Sequence, residues 1–106
     1  MTVYVDDMRA EFRGIIMCHM IADTEAELHE MAARIGISRR WYQGDHYDVG
    51  LERRAQAVAL GAKEISTRDC ALMTVHRRRD PSAPLVTPEQ GKAWLKARTQ
   101  RYRSTP

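Results

Sequence analysis

Ile15-Ile16-Met17-Cys18-His19-Met20-Ile21 and the segment behind it, Asp23-Thr24-Glu25-Ala26-Glu27-Leu28, decide the fold class. The first run is apolar at both parities, the pattern of a strand covered on both faces. In the second, Thr24 and Glu27 have the spacing of a capping box, with Asp23 beside them to favour the positive end of a helix. Leu28, Met31, Ala32 and Ile35 then recur on one helical face, and Gly36 ends it. A buried strand feeding an amphipathic helix predicts an α/β (α+β) domain, a small sheet covered by helices.

Working outward, Val3-Tyr4-Val5 is β-branched and aromatic and ends on Asp6-Asp7, which predicts a short strand. A connector through Gly14 joins it to the 15–21 strand. Pairing of the two as a simple hairpin places Asp6 and Asp7 away from His19. Ala62 to Ser66 supplies a third strand, so the expected sheet has three. Asp48 is the expected cap of a second helix in which Leu51, Ala55, Val58 and Ala59 face inward and Gly61 terminates. Thr67 is the expected cap of a third, running through Leu72 and Val75 to His76-Arg77-Arg78-Arg79, cations that suit a helix C-terminus. The predicted core is Ile15, Met17, Ile21, Leu28, Ile35, Leu51, Val58 and Ile65. Asp80-Pro81-Ser82-Ala83-Pro84 reads as a linker, giving a domain over 1–80, a connection over 81–87 and a basic amphipathic helix within 88–106. Thr87-Pro88-Glu89 starts that helix, whose apolar stripe is Trp94, Leu95 and Tyr102.

The chain has 106 residues, 43% hydrophobic and 29% charged, enough for one core and too apolar for disorder. No apolar run approaches the ~20 residues of a membrane span, and Met1-Thr2-Val3 lacks the basic start of a signal peptide. A cytoplasmic protein with no membrane partner is expected. Cys18 and Cys70 have no C-x-x-C partner, so neither a disulfide framework nor a four-thiolate zinc site is available. The net charge of +3 hides a split. Residues 1–76 carry nine Lys/Arg against twelve Asp/Glu, and residues 77–106 carry eight against two. Such a tail suits nucleic acid, a protein partner, or the acidic domain of a second copy in a homo-oligomer.

Val3-Tyr4-Val5-Asp6-Asp7-Met8, Met17-Cys18-His19-Met20-Ile21-Ala22-Asp23-Thr24, Glu27-Leu28-His29, Ile35-Gly36, Arg39-Arg40-Trp41-Tyr42-Gln43, His46-Tyr47-Asp48, Arg54 and Gly61-Ala62 resemble, in order and spacing, a short bacterial and phage family known as domain of unknown function 4031. The resemblance covers roughly residues 2–70. It implies membership and little about activity, beyond a nucleic-acid context by association with phage. Gly50 departs from the pattern, since members often carry Ser or Thr before the second helix. The linker and final helix lie outside the resemblance.

The polar set that can carry chemistry is His19, His29 and His46 with Asp6, Asp7, Asp23 and Asp48. Imidazole and carboxylate together suit a divalent metal or general acid–base work, with Asp6, Asp7, His19 and His46 as the catalytic candidates. Packing and capping roles are the alternative for each. Arg39, Arg40, Trp41, Gln43, Tyr47 and Arg54 are candidate ligand contacts. Arg39-Arg40-Trp41-Tyr42 interleaves cations with rings as stacking and phosphate contact require, while Trp41 as a core plug is the competing reading. A phosphate at the second helix start, clamped by Arg54, competes with Arg54 pairing to a carboxylate. Triphosphate loops, dinucleotide fingerprints and serine nucleophile elbows are absent. Two functions stay open: an enzyme acting on a nucleotide or other phosphate-bearing ligand, and a non-catalytic nucleic-acid- or protein-binding module.

Overall fold

The computed structural model describes residues 2–103, the last two without their side chains. Strands β1 (Val3–Val5), β2 (Ala10–Phe12), β3 (Ile15–Ala22), β4 (Tyr47–Gly50) and β5 (Lys63–Glu64) form one mixed sheet. Helices α1 (Glu25–Arg34), α2 (Leu51–Ala59) and α3 (Thr67–Arg79) cover it, α4 (Pro88–Arg103) packs outside α3, and a 3-10 turn spans Arg39–Trp41. The α+β class holds, with five strands among the described residues where three were expected. β2 and β4 escape a periodicity reading because they are three and four residues long and carry few apolar side chains. No described helix is long and apolar enough to cross a membrane.

β3 is the hub. Met17 faces both Ala10 and Gly50, and Met20 faces both Val5 and Tyr47, so β1 and β2 share one edge of β3 and β4 takes the other. β5 adds to β1 in parallel. The hairpin turn at Arg13-Gly14 joins β2 to β3, not β1 to β3. This corrects the expected separation of Asp6 from His19. The 7–14 connector carries its own strand, so the register Val5↔Met20 brings Asp6 alongside His19, with Asp6 N donating to His19 O at 3.0 Å.

Alternation along the strands splits the core. One face sends Val5, Cys18, Met20, Ala22, Tyr47 and Val49 against Leu28, Met31, Ala32 and Ile35 of α1 and Ala57 of α2. The other sends Tyr4 and Ile21 against Cys70 and Met73 of α3 and against Leu85. Thr24 caps α1 as expected, accepting from Glu27 N, and Gly36 follows its end at φ 78°. α2 departs from expectation. It starts at Gly50 with no side-chain cap, because Asp48 lies in β4, and it buries Ala57 while Leu51, Ala55 and Ala59 stay exposed. Ile15 is also 53% exposed, at the end of β3 that α3 does not cover. The cap of α3 is Ser66, one residue before the expected Thr67.

α4 docks on α3. Thr87 and Gln90 form its capping box, with Thr87 N donating to Gln90 Oε1 and Gln90 N to Thr87 Oγ1. Gly91 is buried against Leu72 and Met73, and Trp94 meets His76 edge-on at 5.1 Å. Trp94 and Leu95 are half-buried, while the side chains of Tyr102 and Arg103 lie outside the described residues. Arg77 donates to the carbonyls of Ala22 and Asp23 and Arg78 pairs with Asp45, so two of the three arginines ending α3 serve the domain itself.

Candidate functional site

On the face covered by α3, one row of polar residues crosses the sheet. Asp6 ends β1, His19 lies beside it on β3, and Asp48 is the direct cross-strand partner of His19 on β4. His46 lies two residues before Asp48 and so shares its face. Cys18, next to His19, points into the opposite core.

Asp6 is fully buried and committed to His19. Its Oδ2 meets His19 Nδ1 at 2.7 Å, while its Oδ1 accepts from His19 N at 2.7 Å and from Met8 N at 3.3 Å. A carboxylate accepts only, so His19 Nδ1 carries the proton and Nε2 keeps a lone pair. His46 repeats the arrangement, its Nδ1 held at 2.7 Å by Asp45 Oδ1. Asp45 Oδ2 accepts from Arg78 Nε at 2.8 Å. Burial pushes the Asp45 carboxyl up, but the Arg78 and His46 hydrogen bonds and charges outweigh it and hold it below the usual carboxylate range. Both Nε2 atoms turn toward Asp48 Oδ1, at 4.0 Å from His19 and 3.5 Å from His46. Asp48 is itself steadied by Gln43, whose Nε2 donates to Oδ2 at 2.6 Å.

These three atoms lie within 4.8 Å of one another, yet the two imidazoles are too far from Asp48 to hydrogen-bond with it. Atoms that share a metal at about 2.0–2.1 Å sit roughly 3.3 Å apart in a tetrahedron, so a small contraction would close the triad on an ion. Asp6, Asp45 and Asp48 face two guanidinium groups, Arg78 on Asp45 and Arg54 on the Asp6 carbonyl, and the remaining negative charge attracts a cation. Cys70 borders Asp6 and His19. Burial and then the Asp6 charge push its thiol up to about 12, so it stays protonated and poorly suited to metal or nucleophilic work.

The other sequence candidates divide. Asp7 leaves the cluster to serve α3, accepting from Thr67 N at 2.8 Å and Thr67 Oγ1 at 2.9 Å. Those two hydrogen bonds lower its pKa. Arg54 is a brace: Nε donates to the Asp6 carbonyl at 2.7 Å and Nη1 pairs with Glu64 at 2.9 Å. Of the two expected readings of Arg54, the pairing with a carboxylate is the one seen. Tyr47 points to the opposite core, where burial raises its pKa and its hydroxyl meets His29 Nδ1 at 2.6 Å. His29, tied also to Glu25, stands apart from the triad. Asp23 accepts from Thr2 N. Arg39, Arg40 and Trp41 are exposed on the 3-10 turn, so Trp41 is no core plug. Asp45 and Arg78 support this row and are not singled out by the sequence reading. The one available signal was the adjacency of Asp45 to His46.

No curated protein and no solved structure matches the chain. A family model described as protein of unknown function, DUF4031, matches residues 3–78, which takes in β1 through nearly all of α3 and leaves α4 outside. The whole polar row and both of its carboxylate supports fall within that match, and the chain belongs to this family.

Proposed function

We propose that the chain is a small metal-dependent enzyme acting on a phosphate-bearing ligand, with His19 Nε2, His46 Nε2 and Asp48 Oδ1 holding one divalent transition metal. One observation carries the reading: two imidazoles, each with Nδ1 fixed by a carboxylate, aim their free lone pairs at a third ligand oxygen that bonds to neither. Carboxylate–histidine pairs of this kind orient metal ligands and raise their basicity. A packing role would satisfy these nitrogens with hydrogen bonds rather than leave them converging.

Two imidazoles and one carboxylate leave coordination positions for water and substrate. A metal held there would polarise a phosphoryl oxygen and lower the pKa of a bound water, making hydroxide available as a nucleophile near neutral pH. Asp6 and Asp45 hold the tautomers, Gln43 holds Asp48, and Arg78 stands on the rim of the adjacent cleft beside His19 and His46. Arg40 remains available as an anion contact on the far side of Asp48.

Titration of the apoprotein with Co2+ and Zn2+ tests the centre. One ion per chain, with Co2+ absorption bands of four- or five-coordinate geometry, is the expected result. His46→Ala and Asp48→Asn should each weaken binding by at least tenfold. Equal binding by the double variant would overturn the assignment. A bound metal without turnover of any phosphate ester would favour the non-catalytic binding module.

A further inference from the structure

Beyond Asp48 the same sheet face opens into a groove of ≈ 1010 Å³ that α3 leaves uncovered. Its two sides are alike. On one, Phe12 is 55% exposed and the Arg13 guanidinium lies 5.3 Å from its ring centroid. On the other, Trp41 is 56% exposed and Arg40 lies 4.8 Å from its ring. Arg53 adds a third cation to the lining, against Glu52, and Asp48 closes the end shared with the triad.

We infer that this groove binds single-stranded nucleic acid, seating bases on Phe12 and Trp41 and backbone phosphates on Arg13, Arg40 and Arg53. The inference names the substrate class of the metal centre and rests on that reading for catalysis, not for binding. Aromatic faces paired with guanidinium groups suit stacked bases with phosphates alongside, and a duplex keeps its bases out of reach of such platforms. A second copy of the chain fits less well. Two-fold pairing through this face would set its arginines against their own counterparts.

The turn adds an independent sign. Arg13 and Gly14 connect β2 to β3 with φ values of 51° and 81°. Asn is favoured at the first of these positions, whereas a bulky side chain there is strained. An arginine held in that conformation beside an exposed ring trades turn stability for a cation at the groove mouth.

The test is fluorescence anisotropy with a labelled oligothymidylate and a duplex of equal length, in chelator, at two salt concentrations. A Trp94→Phe background leaves Trp41 as the sole tryptophan, so its quenching reports stacking. Expected are preference for the single strand, Trp41 quenching, weakening as salt rises, and roughly tenfold losses in Trp41→Ala and Phe12→Ala. Arg13→Asn should weaken binding while raising thermal stability, a pair of opposite changes that a purely structural arginine would not give. Equal affinity for the duplex, unquenched Trp41, or unaffected variants would overturn the inference. So would a dimer that Trp41→Ala dissociates. Metal titration of the same variants keeps the two readings apart: intact metal binding with no oligonucleotide binding defeats the groove alone, and the reverse defeats the centre alone.

Discussion

Replacing Asp6 with Asn changes one atom, and the geometry around it dictates the consequence. Asp6 Oδ1 accepts two backbone N–H groups, from His19 and Met8, and Oδ2 meets His19 Nδ1. In Asp6→Asn the amide oxygen must stay with the two backbone donors, because turning the NH2 toward them would strand both at about 1–3 kcal/mol each. The NH2 then faces Nδ1, which must become the acceptor, and the His19 proton moves to Nε2. A protonated Nε2 cannot ligate. Metal binding must reverse that arrangement, and loss of such a support costs 10–100-fold in affinity, about 1.4–2.7 kcal/mol. The fold should change little, by roughly 1 kcal/mol for one weakened hydrogen bond. Asp6→Ala, which leaves all three donors unpaired, should cost at least about 3 kcal/mol. Competition with a chromophoric chelator gives the affinity, and urea midpoints give the stability. Metal affinity in Asp6→Asn within threefold of the parent would refute the tautomer reasoning.

Gly50→Ser should stabilise the protein by about 0.5–1 kcal/mol and raise Tm by a few degrees. Gly50 starts α2 at φ −67° with no cap, and a Cβ there meets Ile15 Cγ2 at 3.6 Å and Ile16 O at 4.0 Å, both ordinary contacts; an unchanged or lower Tm would show the cap does not form. The Asp7 pKa lies below its ordinary 3.8, so its contribution is complete above that value and is lost as pH falls through the lowered one. Urea midpoints followed into the acid range should therefore drop less steeply in Asp7→Asn, and parallel curves would count against the Thr67 cap. Leu85→Ala should cost about 2–4 kcal/mol, since Leu85 is 7% exposed among Tyr4, Ile21 and Met73. A cost under about 0.5 kcal/mol would make the segment beyond the family match an independent appendage. Neither Cys18, fully buried, nor Cys70, with its raised pKa, should react with a thiol reagent before unfolding; rapid modification of Cys70 would mean the cleft over Asp6 opens.

What could be read in the sequence was local. The cap at Thr24, the stripe from Leu28 to Ile35 and the stop at Gly36 belong to one helix and are found there, though Glu27 Oε1 accepts from Thr24 Oγ1 and not from its backbone N–H, so the box is half formed. The inward face of α2 was misjudged because Arg54, a long cation, takes an interior place beside Ala57 by reaching the Asp6 carbonyl. The site was legible as a set of residue types, including His19, His46, Asp6 and Asp48, and not as an arrangement. Asp6 meets His19 through a register that depends on a three-residue strand with almost no signal of its own. His29 resembled the other histidines in sequence, and only the docking of α1 on the opposite face separates it from them.

Because Asp6, His19 and Asp48 line up across three strands, the site is measured out by strand spacing, about 4.8 Å per step, more than by side-chain reach. A metal centre laid across a sheet has no near-miss states. A one-residue slip of β3 turns His19 into the opposite core and brings Cys18 or Met20 to its place. Length changes should therefore be tolerated very unevenly. Extra residues in the connections at 7–9 or 36–38, which lie between elements, lengthen links between strands that keep their partners. A single insertion between Val3 and Asp6, or between His19 and Ala22, shifts one member of the row to the wrong side of the sheet. Single-residue insertions scanned through the chain should accordingly leave metal binding either near normal or absent, with few intermediate values.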